Sequence, residues 1–309
     1  MPIPAHLQRN LKLPVISAPM FLVSGPDLVI AASKAGIIGT LPALNARTLE
    51  QVEQWYQHIT QTLDPATDAA WGVNLIVHKT NQQRLQADLD LLVKYKCPLI
   101  ITSIGNPAPI VEAARTYGGA VFHDVTETRW AKKAIQGGVD GLILVCGGAG
   151  GHAGVMNPFA LLPQVREFWQ GTICLAGAIS DGRAVRAAQV LGADFAYVGT
   201  RFIATQESMA KPAYKEMIIA TEATDIVYTP AFSGIPANML APSIAAAGLD
   251  PKNLPEKKEI NLGAELNADH KAWRDIWSAG QGVGSIHDNP SIADLVARMR
   301  REYDEAKAT

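Results

Sequence analysis

Eight short apolar runs recur along the chain, most of them followed by a stretch with apolar residues at three- and four-residue spacing. This alternation constrains the fold more than any other feature. The runs are PVISAP (14–19), IIGTLP (37–42), WGVNLIV (71–77), PLIITS (98–103), AVFHDV (120–125), GLILVC (141–146), TICLAG (172–177) and FAYVGT (195–200). Several are continuously apolar, as parallel strands are when both faces of their sheet are covered. Between them the periodicity predicts helices over 25–36, 48–63, 81–95, 107–118, 126–138 and 181–193, several closing on the glycine that a helix C-terminus prefers. The expected fold is α/β: a (β/α)8 TIM barrel, with a doubly wound open sheet as the alternative. The open sheet is disfavoured because Pro19-Met20-Phe21 follows the first strand, where a dinucleotide fold would carry GxGxxG.

After Thr200 the alternation stops, and a segment rich in Pro, Gly and Asn runs from Thr229 to Pro255. Helical patterning returns over 267–280 and 291–308, either to cover the barrel or to pack on the insertion. The expected organisation is a barrel built from 1–222 with 265–309, and a lid, 223–264, over its active site.

A chain of 309 residues with 48% hydrophobic and 18% charged residues buries a substantial core and is unlike a disordered chain. A formal net charge of −2, with no Lys/Arg stripe, gives no grip on a nucleic-acid backbone. No apolar run approaches the ~20 residues of a membrane span. The opening MPIPAHLQRN lacks the basic and apolar regions of a secretory signal, so a cytoplasmic location is expected. Cys97, Cys146 and Cys174 lack CxxC spacing, which argues against a disulfide framework and a structural zinc site. The sequence does not decide between a monomer and a homo-oligomer.

Barrels of this kind work at the C-terminal ends of their strands. Read there, the sequence places Ala18-Pro19-Met20, Asn74, Ser103, His123-Asp124, Cys146 to Gly154, Gly177-Ala178-Ile179 and Gly199-Thr200. Small residues after the seventh and eighth strands offer backbone N–H groups to an anion, where barrels commonly bind phosphate; the competing reading is tight turns alone. CGGAGGHAG (146–154) sets one imidazole among glycines, including Gly151, that let the backbone approach a planar ligand. His152 is then a catalytic base or a substrate-polarising group, against the plain reading of a loop histidine satisfied locally. A metal held by His123, Asp124 and His152 has no HxH or HxxxH spacing behind it, and Cys146 as a nucleophile has no evident base. His6, His58, His78, His270 and His287 are assigned no chemistry.

At these residues the chain resembles the nitronate monooxygenase family, formerly the 2-nitropropane dioxygenases, which are FMN-dependent (β/α)8 barrels. The likeness runs from PVISAPM through GGAGGHAG, GAISDGRAVRAAQVLGADFAYVGTRFIATQES and FSGIPANML to IWSAGQGVGSI. The resemblance implies FMN as cofactor and an alkyl nitronate, or a nitroalkane, with O2 as substrates, giving a carbonyl compound and nitrite. It implies that Ala18, Pro19 and Met20 lie against the flavin ring, that Asn74 reaches its polar edge, and that Gly177, Ala178, Gly199 and Thr200 hold its phosphate. Ala178 stands where many relatives have a second glycine. Gln281, Gly282 and Ser285 match a segment that returns to the flavin, with a simple helix connection as the alternative role. His152 matches the family's proposed base, and His123, near the flavin, is followed by Asp124 where some relatives carry a basic residue.

Two rivals stay open. The GGH loop also resembles that of FMN-type enoyl reductases, so an NAD(P)H-dependent FMN reductase acting on a quinone or enoyl thioester is the alternative activity. A non-redox phosphate-binding barrel is the other, although no strand-end lysine offers itself for Schiff-base chemistry.

Overall fold

The computed structural model describes residues 3–77, 82–255 and 274–308. All eight apolar runs become strands of one closed parallel barrel: β1 (Val15–Ser17), β2 (Ile38–Pro42), β3 (Trp71–Ile76), β4 (Leu99–Ser103), β5 (Ala120–Val125), β6 (Gly141–Val145), β8 (Thr172–Ala176) and β9 (Phe195–Val198). The pairing of β1 with β9, Ile16 opposite Tyr197, closes the ring. Because strand side chains alternate, each strand feeds two cores. Ile16, Ile38, Ile101, Phe122, Ile143 and Phe195 fill the interior, while Val15, Leu41, Val73, Ile100, Val121 and Leu142 pack outward against helices. Coverage on both faces is why the runs read as apolar without alternation.

The six predicted helices are present, from Pro26–Ala35 to Gly182–Leu191; Asn81, the predicted start of one, lies outside the described residues. A further helix, Pro158–Arg166, was not marked by the periodicity. The Asn157 side chain caps it by accepting from Phe159 N, and Pro163 sits inside it, a residue that normally counts against a helix.

The end of the chain resolves the open choice made above. Helix Ile292–Ala308 packs between Gly182–Leu191 and Pro26–Ala35, so it fills the eighth helical place of the barrel. The fit is close: a Cβ on Gly182 would stand 1.9 Å from the Met299 carbonyl oxygen. Asp288 ties this helix back to the short helix Thr200–Ile203 that follows β9, since Arg298 and the buried Arg201 both donate to its carboxylate, Arg201 at 2.6 Å.

Everything between is inserted within the eighth βα unit. Strands β10 (Ile226–Thr229) and β11 (Ala237–Leu240) form an antiparallel pair, and β11 also pairs with β7 (Gly151–His152) from the glycine-rich loop. The expectation of a helix over 267–280 is corrected where it can be followed. Residues 267–273 lie outside the described residues, and 274–280 are not helical. Ser278 bridges Met239, Trp277 accepts Leu240 N–H at 2.8 Å, and the Trp277 ring stacks on Tyr214, so the insertion claims these backbone groups.

Among the described residues, no helix is long and apolar enough to cross a membrane.

Candidate active site

The parallel strands bring their C-terminal ends to one face, where an open cavity of about 1580 Å³ gathers the strand-end loops. Ligand pockets commonly measure ~300–1,000 Å³, so there is room for a nucleotide-sized cofactor beside a small substrate. Of the residues singled out in sequence, Ala18, Pro19, Met20, Asn74, His123, Gly151, His152, Gly177, Ala178, Gly199, Thr200 and Gly282 line it. Gln281 and Ser285 are exposed and do not, although Gln281 N–H donates to the Gly148 carbonyl at 2.9 Å.

After β8 and β9 the backbone is shaped to receive an anion. Gly177 has φ +129° and Ala178 φ +54°, the left-handed region that costs a residue with a Cβ roughly 1–2 kcal/mol. The strained conformation is one that glycine adopts freely. Among the described residues, no protein acceptor takes the N–H groups of Gly177, Ala178, Gly199 or Thr200. Orphan donors grouped at the mouth of a barrel suit the oxygens of a phosphate.

The glycine-rich loop is held from the insertion. Asn238 donates to the Ala149 carbonyl at 2.6 Å and Tyr228 to the Ala153 carbonyl at 2.9 Å, while Ala237 pairs with His152 in the β7–β11 ladder. A Cβ on Gly150 would lie 2.8 Å from the Gly280 nitrogen, so this glycine is needed for contact between two backbones rather than for a ligand.

His152 Nε2 sits 2.8 Å from Ser233 Oγ, and Ser233 Oγ lies 2.9 Å from the Ile235 carbonyl. A carbonyl only accepts, so the Ser233 proton points to Ile235 and Nε2 carries the ring proton; the basic lone pair is therefore on Nδ1. Burial pushes this histidine down to about 4, which leaves it neutral at neutral pH. The Cys146 thiol is pushed up to about 12 by burial, so it is not a ready nucleophile.

The opposite wall is a ladder across three strands. Asn74 donates its two amide hydrogens to Ser103 Oγ, at 2.8 Å, and to the Ile101 carbonyl, at 3.3 Å, and Ser103 donates to Asp124 Oδ2 at 2.5 Å. His123, one residue earlier on β5, faces the helix side, where Nδ1 meets Thr102 Oγ1 at 2.7 Å. Burial lowers it to about 4, so it adds no cation to the site at neutral pH. Among the described residues no group of three His, Cys, Asp or Glu gathers for a metal. His78 and His270 lie outside the described residues.

Ser233, Asn238 and Tyr228 were not singled out in the sequence as site residues. The only signal was that FSGIPANML, which holds two of them, travelled with GGHAG in the resemblance.

Fold and site together define a parallel barrel with a strand-end cavity shaped to receive an anion. The nitronate monooxygenase family profile matches residues 6–302, and the chain belongs to that family. The nitronate monooxygenase of Paraburkholderia phytofirmans is 28% identical over 95% of this chain and 93% of its own. A (3aS,4S,5R,7aS)-5-hydroxy-7a-methyl-1-oxo-octahydro-1H-indene-4-carboxyl-CoA dehydrogenase of Rhodococcus jostii is 29% identical over 74% of this chain and 62% of its own. Among solved structures, FabK from Thermotoga maritima superposes with a TM-score of 0.82 at 24% identity, covering 99% of this chain and 96% of that one. A nitroalkane oxidase from Streptomyces ansochromogenes gives 0.83 at 24% identity, covering 98% and 99%. At such identities these two likenesses speak to the fold.

Proposed function

We propose that the protein is an FMN-dependent nitronate monooxygenase, oxidising alkyl nitronates, and nitroalkanes after deprotonation, with O2 to carbonyl compounds and nitrite. The observation that carries this is the Ser233-anchored His152 lining the cavity of a chain that matches the family over residues 6–302. FMN, when bound, supplies the electron transfer between nitronate and oxygen. Its phosphate fits the orphan N–H groups of Gly177, Ala178, Gly199 and Thr200. Ala18, Pro19 and Met20 would flank the ring, Asn74 would offer its carbonyl oxygen, and Gly151, Gly282 and His123 line the remaining space. Gln281 and Ser285 stand beside the site, acting through the turn they occupy.

His152 takes the α-proton of a neutral nitroalkane, while Ser233 keeps the ring in place. A neutral imidazole suits that role and not a standing cation for the nitronate, because burial disfavours the charged form. Of the expected lid, 223–264, residues 256–264 lie outside the described residues; the described part, 223–255, would exclude water from the site.

The test is anaerobic mixing of the FMN-loaded protein with propyl nitronate and, separately, with NADH or NADPH. Bleaching of the flavin absorbance by nitronate, with nicotinamides inert, is expected. Fast bleaching by a nicotinamide alone would overturn the oxygenase in favour of a reductase.

A further inference from the structure

The buried carboxyl beneath Asn74 has no task in the reaction as described. Asp124 lies on β5 with Oδ2 bonded to Ser103, while Oδ1 is buried and meets no hydrogen-bond partner. Leaving a carboxylate oxygen unsatisfied in the wall of a site is costly unless the group serves there.

The direction of each bond in the ladder can be assigned. The Ile101 carbonyl accepts only, so the amide nitrogen of Asn74 must face it, and the second amide hydrogen goes to Ser103. Both Asn74 donors are thereby used within the wall, and what remains for a ligand is the Oδ1 acceptor. Ser103 accepts from Asn74 and gives its only hydrogen to Asp124. With Asp124 ionised, this hydroxyl has no hydrogen for the cavity that it lines, only its second lone pair. With Asp124 protonated on Oδ2, the acid donates to Ser103 Oγ, and the hydroxyl hydrogen is released toward the cavity.

We propose that Asp124 is a positioning residue whose protonation switches Ser103 from a hydroxyl whose hydrogen is held in the barrel wall to a donor for the bound flavin, while Asn74 stays an acceptor. This rests on the flavin reading above. Burial raises Asp124 to about 7, against which only the Ser103 bond acts, so both states are accessible near neutrality. The groups facing it leave that balance undisturbed. Cys174 on β8 and Tyr197 on β9 are both held in their neutral forms by burial. His152 on β7 is neutral, and His123 faces the other side of the strand. Arg129 and Lys133 line the outer cavity but contribute no shift to Asp124.

The experiment is FMN affinity, by quenching of flavin fluorescence, at pH 5.5 and 8.5 for wild type, Asp124→Asn and Ser103→Ala. Each variant is expressed as a ratio to wild type at the same pH, which cancels the titration of the FMN phosphate. One hydrogen bond is worth about threefold to tenfold in affinity, so wild type should bind that much more tightly than Ser103→Ala at pH 5.5 and about equally at pH 8.5. Asp124→Asn, whose amide donates to Ser103 at every pH, should match wild type at pH 5.5 and bind more tightly at pH 8.5. Ratios that do not change with pH would overturn the switch while leaving FMN binding intact. Wild type that takes up no FMN at either pH would overturn the flavin reading itself, and the switch with it. If Asp124→Asn does not fold, the pH dependence of the Ser103→Ala ratio still decides.

Discussion

Replacing Gly150 by alanine puts a methyl carbon 2.8 Å from the Gly280 nitrogen, 3.0 Å from the Ala279 carbonyl carbon and 3.1 Å from Thr200 Oγ1. The first two are backbone atoms, and Thr200 Oγ1 is held in place by Gly280 N–H at 2.9 Å, so no flexible side chain can swing aside. The glycine-rich loop must move off the return segment, stretching the bond that joins them there, Gln281 N–H to the Gly148 carbonyl at 2.9 Å. Overpacking costs about 1–3 kcal/mol and each hydrogen bond about 1 kcal/mol. The expected loss is therefore about 3 kcal/mol, a fall in Tm of about 6 °C for a chain of this size. Gly284→Ala is the control: its new carbon would meet Ala223 N and Glu222 Oε2 no closer than 3.4 Å, an ordinary contact, and its Tm should stay within about 1 °C of wild type. Thermal unfolding followed by circular dichroism reads both. If the two variants melt together, the claim that backbone contact dictates glycine at 150 is wrong.

His152→Asn should reduce turnover of neutral nitroalkanes by about 10²–10⁴-fold and of preformed nitronates much less; equal losses on both substrates would remove the base assignment. Asp124 is raised in the folded state, so the unfolded chain ionises at about 4 while the folded chain holds its proton until about 7. Wild type should therefore lose stability relative to Asp124→Asn as pH rises from 4 to 7 and level off above, by at most roughly 4 kcal/mol. Urea titrations at several pH values check this, and parallel curves would contradict it. Arg201→Ala removes a side chain 2% exposed from Asp288, whose own side chain is 44% exposed. The cost should be roughly 2–3 kcal/mol, below that of a fully buried pair, because Arg298 and water still serve the carboxylate; an unchanged Tm would show that the pair does not anchor the last helix.

The strands were legible because each must be apolar on two faces, and the runs from PVISAP to FAYVGT carry that requirement within six or seven residues. Helix Pro158–Arg166 was hidden by its internal Pro163, and residues 274–280 took helical patterning in sequence because Trp277 and Ile276 are spaced for burial whether or not the backbone coils. The strand-end residues were legible for a related reason: once the barrel is granted, position after a strand implies position at the mouth. Ser233 was not, since nothing local distinguishes a serine that holds an imidazole 81 residues away from one that merely ends a turn.

By itself the sequence determined the barrel, the ring of loops at its mouth and the likeness to one family, because these follow from local periodicity and from short contiguous motifs. Only the tertiary structure decided that the last helix completes the barrel, that the inserted strand β11 clamps the histidine loop, and that Asn74, Ser103 and Asp124 form one hydrogen-bonded chain. Each of these joins residues on different strands or at opposite ends of the insertion. Their partners are set by closure of the ring and the register of neighbouring strands, which no local pattern encodes.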